Sequence, residues 1–199
     1  RLGRNSGRRG HWVGSVRVTR RGRPSAGGNL MTRRSIVVVL VALAFTLTSC
    51  NEQEGIATIS AGGNFTCTLQ SGGTVWGWGY DEDGQLGDGP RADSTRPVQV
   101  PITGAVQVEA GGLHACALLG DGTIRCWGND EYGRLGNGSP PLTGDNWRGT
   151  PIQVRGITTA VEIAVGSSHS CALLADGTAE CWGENGFGQL GVSGPPPYG

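Results

Sequence analysis

Three stretches of this 199-residue chain repeat one another in register, and that repetition limits the fold more than any other feature. The first reads AGGNFTCTLQSGGTVWGWGYDEDGQLGDG from Ala61, the second AGGLHACALLGDGTIRCWGNDEYGRLGNG from Ala110, and the third VGSSHSCALLADGTAECWGENGFGQLGVS from Val165. Cys67, Cys116 and Cys171 advance by 49 and then 55 residues, as do Trp78, Trp127 and Trp182, and Leu86, Leu135 and Leu190. The six extra residues are assigned to one connection, around Pro140 to Arg148. A unit that recurs in this way buries its apolar face on its neighbours, so the chain reads as a stacked array. The units fall at about 61–109, 110–164 and 165–199, the last incomplete, within a region 56–199.

Each unit is read as strands. The runs Cys116-Ala117-Leu118-Leu119 and Thr123 to Trp127 flank a Gly-Asp-Gly turn, the pattern of a hairpin. Pro97 to Val100 and Pro151 to Val154, followed by Ala105 to Ala110 and Ala160 to Val165, supply two more strands per unit. The 37 glycines suit tight turns between short strands, and no helical period competes. About four strands in every 50 residues predicts an all-β chain of propeller blades.

The cysteines follow from the hairpin register. Cys116 and Cys126 are ten apart, as are Cys171 and Cys181, and the turns Gly120-Asp121-Gly122 and Ala175-Asp176-Gly177 lie midway between them. A three-residue loop pairs position 119 with 123 and therefore 116 with 126. Both pairs then sit directly opposite across a ladder, near the Cβ separation of about 3.5–4.5 Å that a disulfide needs. Each bridge closes an eleven-residue loop, which stabilises by roughly 2–3 kcal/mol on the loop-entropy estimate. A zinc site built from these thiols with His114 or His169 is the competing reading, and a nine-residue gap inside one hairpin does not resemble zinc-knuckle spacing. In the first unit the same register sets Cys67 opposite Gly77, leaving Cys67 a free, buried thiol or one paired outside this chain.

The front of the chain has a different composition. Arg33 and Arg34 after Met31, the apolar run Ile36 to Phe45, and Leu47-Thr48-Ser49-Cys50 are the three parts of a lipoprotein signal peptide, with Cys50 as the lipid-bearing residue. An apolar stretch of about 13 residues spans ~20 Å as a helix, short of a bilayer core of about 30 Å. An ordinary signal peptide or a short membrane anchor is the alternative. Residues 31–49 are thus expected to be a cleaved leader and 50–55 a short tether. Residues 1–30 are expected to be an upstream extension outside the mature protein or a disordered arm. Ten of the 16 basic residues, all arginine, precede Ser35, whereas all 16 acidic residues follow Cys50, against six arginines. The part from Cys50 onward therefore carries about −10. Such a surface repels nucleic acid, whose phosphates are bound by neutralising cations.

The recurring G-x-H-[ST]-C-A-L, D-G-x, C-W-G and G-Q-L-G elements resemble the regulator of chromosome condensation repeat over about residues 56–199. That resemblance implies a ring usually closed by seven blades. Three units are about three of that probable seven, so the chain reads as a fragment of a longer product. Assembly of several chains into one ring is the other route to closure. The resemblance and the leader together suggest a bacterial, cysteine-bearing lipoprotein variant of the family.

Candidate sites are weighed by whether they recur. His114 and His169 align with Phe65, which suits a packing position for a ring better than a catalytic imidazole. Trp78, Trp127 and Trp182 recur once per unit and are expected between adjacent sheets. Trp76, Tyr80, Tyr132, Trp147 and Phe187 are the candidate partner contacts. The run Asp81-Glu82-Asp83-Gly84 with Asp88 lacks the full ligand ladder of a calcium loop. The Gly-x-Gly runs lack a lysine and a following helix, so they are not phosphate cradles. Neither a triad order nor a nucleophile elbow surrounds Ser167, Ser168 and Ser170.

No enzyme, cofactor or metal is expected. The leading function is a non-catalytic protein-interaction module of the cell envelope, periplasmic or at the surface. Its partner is an unidentified protein and it is anchored to the membrane through the N-terminal lipid, with no nucleic acid. The segments Asp88–Arg96 and Gly138–Thr150 are expected contact loops. Two further functions come from resemblance alone. One is a secreted inhibitor, as in a related propeller that inhibits β-lactamases; the other is guanine-nucleotide exchange on the Ran GTPase, as in the family's namesake.

Overall fold

The computed structural model describes residues 55–138 and 146–193. The leader at 31–49, Cys50, the upstream stretch 1–30, most of the 50–55 tether, residues 139–145 of the expected contact loop and the proline-rich residues 194–199 lie outside the described residues.

The hairpin is the unit from which the rest is built. In the second repeat β6 (His114–Leu119) runs into β7 (Ile124–Asn129), with Cys116 opposite Cys126 and Leu118 opposite Ile124. The Leu119 N–H donates to Thr123 O at 2.9 Å and the Gly122 N–H to Leu119 O at 3.0 Å. Gly122 sits at φ 81°, the left-handed position that closes a three-residue loop. A Cβ there would lie 2.7 Å from Thr158 O, so glycine is needed for close approach as well as for conformation. Asp121 Oδ1 accepts from the Thr123 backbone N–H at 2.9 Å and its hydroxyl at 2.6 Å, which explains the Asp-Gly-Thr run. The third repeat copies this turn, with Asp176 accepting from Thr178. There β10 (His169–Leu174) pairs with β11 (Ala179–Gly183) and sets Cys171 opposite Cys181. In the first, β2 (Phe65–Gln70) pairs with β3 (Val75–Gly79), and Cys67 faces Gly77.

An inner strand completes each hairpin into a sheet, and among the described residues an outer strand joins the first two. The inner strands are β1 (Ile56–Ala61), β5 (Ala105–Ala110) and β9 (Ala160–Val165). The outer strands are β4 (Ser94–Gln99) and β8 (Trp147–Gln153). The order within each sheet is β1-β2-β3-β4, β5-β6-β7-β8 and β9-β10-β11, all antiparallel. Pro97 and Pro151 lie on the outer strands, where the missing N–H of proline costs no ladder bond.

The three sheets are blades of a propeller, packed face against face. One core joins Phe65, Leu69, Val75 and Leu86 of blade 1 to Val108, Ala115 and Trp127 of blade 2. A second joins Leu118, Ile124 and Leu135 of blade 2 to Ile163 and Ala172 of blade 3, with Trp182 against it. Burial from both sides explains why β6 is a continuous apolar run, His-Ala-Cys-Ala-Leu-Leu, without the alternation of a one-sided strand.

Two sequence expectations shift. The repeat motif groups each inner strand with the unit before it, whereas β5 pairs with β6 and β9 with β10, so each blade starts about five residues ahead of its repeat motif. A repeat has no natural beginning in sequence, and only ladder bonding sets its frame. The six extra residues are also divided. Val100 N–H donates to Val75 O and Val154 N–H to Ile124 O, so these valines are equivalent and five of the residues precede them. The sixth lies between Val154 and Ala160, because Ala105 N–H and Ala160 N–H make the matching bonds to Gly73 O and Gly122 O.

Candidate partner-binding face

The loops after β3, β7 and β11 neighbour one another along one end of the array. Each is held by one side chain in the same place. Asp81 Oδ1 accepts from the Leu86 N–H at 2.8 Å, Asp130 Oδ1 from the Leu135 N–H at 3.1 Å, and Asn185 Oδ1 from the Leu190 N–H at 3.0 Å. Burial raises the Asp81 and Asp130 carboxyls above the usual range, while these N–H bonds pull them back down. The acidic start of the first loop is thus a loop brace. Sequence reading missed the Asp81, Asp130 and Asn185 column because it asked only whether the charge recurs; the shared feature is a side-chain oxygen.

The blades are clamped at this end by tryptophan. Trp127 Nε1 donates to Gln85 O at 2.9 Å and Trp182 Nε1 to Arg134 O at 3.0 Å. Gly87 and Gly136 lie under these indoles, where a Cβ would come within 2.6 and 2.8 Å of the ring. That gives the Gly of the G-Q-L-G element a packing reason. His114 and His169 stand at Phe65's position. His114 is fully buried, with Nε2 2.9 Å from Ser170 Oγ of blade 3, and burial lowers its pKa to about 3, so it is neutral. Cys116–Cys126 and Cys171–Cys181 are disulfide-bonded, each with Cα atoms 4.1 Å apart. Cys67 is free and buried, and burial pushes its thiol up to about 12.

Of the five candidate contact residues, four gather at this end. Phe187 is 94% exposed and Tyr132 45%, at equivalent places in their loops. Tyr80 is half-buried and its hydroxyl donates to Glu82 at 2.6 Å; that bond and the surrounding carboxylates push the phenol up to about 12. Trp147 is half-buried, capped by the Arg91 guanidinium 4.7 Å from its ring and packed on Gly84 of blade 1. Trp76 is apart from them, mid-strand in β3 between Thr68 and Gln99. Of the expected contact segments, Arg91 lies on this end, its Nε donating to Glu82 O.

Tyr132 has a further property. Its backbone is left-handed, at φ 64° and ψ 14°, the one non-glycine residue with positive φ among those described. An aromatic residue pays for that conformation, and Asp83 and Phe187 in the same column do not adopt it. The ring covers no core. It lies with the Arg134 guanidinium 5.7 Å from its centre, and Arg134 pairs with Glu131 at 3.6 Å.

The regulator of chromosome condensation (RCC1) repeat matches residues 72–118 and 121–173, and a second description of that repeat matches 56–85, 105–134 and 160–189. The ultraviolet-B receptor UVR8 of Arabidopsis thaliana is 36% identical over 141 residues, which are 69% of this chain and 31% of the receptor. The chain thus spans about a third of that relative's length. The crystal structure of Kap60 bound to yeast RCC1 (Prp20) superposes at TM-score 0.64 and 23% identity, over 73% of this chain and 34% of that one. Prp20p from Saccharomyces cerevisiae, studied with its binding to Gsp1p and histones, superposes at 0.57 and 23%, over 70% and 34%. At that identity these two show the fold. The recurring motif, its ladder register and these matches agree: the chain belongs to the regulator of chromosome condensation (RCC1) repeat family, and its described residues form part of a propeller of that type.

Proposed function

We propose that this chain is a non-catalytic protein-interaction module of a bacterial cell envelope, exported by residues 31–49 and anchored through a lipid on Cys50. The leader pattern ending in Leu47-Thr48-Ser49-Cys50, and the reversal of charge after it, support export and lipidation. A protein partner is supported by the relatives whose structures concern binding to Kap60, Gsp1p and histones. The partner meets the loop end, and Tyr132 carries that reading. A backbone strain of roughly 1–3 kcal/mol is retained to hold out a ring that is 45% exposed and serves no core.

The test joins stability to binding. Tyr132→Gly removes the strain and is expected to stabilise the chain by about 1 kcal/mol in denaturant unfolding. A photo-crosslinking residue at position 132, in the full chain expressed in a bacterial host, is expected to give a discrete protein adduct that the same probe at Arg125 does not. A loss of stability in Tyr132→Gly, or identical adducts from both positions, would sink the loop-end reading. Metabolic labelling with a palmitate analogue checks the anchor separately: label persisting on Cys50→Ala refutes it.

A further inference from the structure

The same turn occurs three times at the loop end, and in the second copy one peptide is inverted. The Gly84 N–H donates to Asp81 O at 3.0 Å, the Gly133 N–H to Asp130 O at 3.1 Å and the Gly188 N–H to Asn185 O at 3.1 Å. Each loop therefore opens on a four-residue turn, and the residue that follows it is Gln85, Arg134 or Gln189. Gln85 Oε1 accepts from the Asp83 N–H and Gln189 Oε1 from the Phe187 N–H, both at 2.9 Å. The Glu82 carbonyl of the first loop takes its bond from Arg91 Nε instead. An arginine side chain has no acceptor. Arg134 Nε donates to Glu131 O at 2.8 Å, the carbonyl of the peptide whose N–H belongs to Tyr132. The peptide that turns its N–H to this column in the first and third loops thus turns its oxygen there in the second.

That reversal accounts for the Tyr132 backbone. Rotating the central peptide of a type I turn gives type II, whose third residue requires positive φ. Tyr132 has that conformation, at φ 64° and ψ 14°, while Asp83 and Phe187 do not have positive φ. We propose that Arg134 is a positioning residue: a donor, where the sister loops have an acceptor, inverts the Glu131–Tyr132 peptide and sets the direction of the Tyr132 ring.

Blade 3 keeps the donor in place. Arg134 is 3% exposed, and its carbonyl accepts from Trp182 Nε1 at 3.0 Å and Ser170 Oγ at 3.3 Å. With its backbone fixed there, the guanidinium stays by its own loop, 3.6 Å from Glu131 Oε2 and 5.7 Å from the Tyr132 ring centre. The Glu131 carboxylate offsets part of the cost of burying that charge. The consequence for binding rests on the loop-end reading of function, whereas the peptide inversion stands without it.

Arg134→Gln gives the second loop the residue of the other two, and Arg134→Lys keeps a donor. Nuclear magnetic resonance of the 199-residue chain, isotopically labelled on tyrosine, reads the turn directly. In the wild type and in Arg134→Lys, the strong Overhauser contact of the Tyr132 N–H is expected with Glu131 Hα, as in type II. In Arg134→Gln it is expected to move to the Glu131 N–H, as in type I. Tyr132→Gly, expected to raise the folding constant about fivefold in the wild type, should bring no gain in Arg134→Gln. A photo-crosslinking residue at position 132 is expected to lose its discrete adduct several-fold in that background. Gln189→Arg is the converse variant, expected to bring Phe187 to positive φ, and it replaces Arg134→Gln if circular dichroism shows that chain unfolded. The proposal is overturned if the Tyr132 contact stays with Glu131 Hα in Arg134→Gln, if Tyr132→Gly still gains fivefold there, or if Gln189→Arg leaves Phe187 unchanged. A wild type that gives no adduct, while the contact moves as stated, supports the role of Arg134 and counts against the loop-end reading.

Discussion

In blade 1 the residue opposite Cys67 is Gly77; in blade 2 the residue opposite Cys116 is Cys126, and the two are bonded. The register is the same, and the surroundings are not. Blade 2 is covered on both faces, so Trp127 is fully buried beneath the loop of blade 1. Blade 1 is covered on one face by the described residues, and its Trp78 is half-buried. Blade 3 separates the two factors: it has its disulfide, yet Cys171 and Cys181 are only half-buried. The staple and the burial are therefore independent. Cross-links restrain the hairpin, and neighbouring blades supply the core.

The largest effect should come from removing one indole from each of the two blades. Trp127→Ala is expected to cost about 3–5 kcal/mol, since it empties a buried site and orphans the Gln85 carbonyl. Trp78→Ala, at the same register position in blade 1, is expected to cost under about 1 kcal/mol in the dilute chain. Urea unfolding of both variants measures the difference, and equal losses would break the comparison.

The staple comes next. Replacing Cys116 and Cys126 together by serine is expected to cost roughly 2–3 kcal/mol. Gly77→Cys should supply blade 1 with the missing bridge for a gain of similar size, because a Cβ at Gly77 meets Leu86 Cδ2 at an unstrained 3.5 Å. Intact mass under non-reducing conditions reports the new bond, and a thiol at Cys67 that still reacts after unfolding would show that it has not formed.

The smallest effect separates the ring columns. His114 is held down to about 3, first by burial and then by the charges of Arg134 and His169. Its folded pKa lies below the ordinary 6.5, so the unfolded chain takes up a proton that the folded chain refuses. The stability it permits is complete above pH 6.5 and is lost as pH falls towards 3, by ~2 kcal/mol on reaching pH 5. Asp81 and Asp130, raised by burial, act in the opposite sense at the lower end. His114→Phe with Ser170→Ala copies the Phe65 and Ala115 pair of the first contact, and is expected to flatten the slope between pH 6.5 and 5. An unchanged slope in pH-resolved melts would assign it to other groups.

Much of this molecule is written locally. The hairpin turn follows from Asp121, Gly122 and Thr123, because a side-chain acceptor and a left-handed glycine are properties of three consecutive residues. The cysteine register follows from that turn by counting. The column of Asp81, Asp130 and Asn185 was also present in the sequence, hidden by a change from acid to amide at the third place. Trp147 could not be read in advance as the partner of both Arg91 and Gly84, since they meet it across blades from more than 50 residues away.

The repeat period, the antiparallel hairpins and the positions able to form disulfides were determined by sequence alone, because each depends on spacings within one blade. Which strand begins a blade, which tryptophan is buried and which is left half-covered, and that Tyr132 is held in a strained turn were decided by the tertiary structure. Those outcomes depend on what the neighbouring sheet presents, and residues identical within their own repeat meet different neighbours.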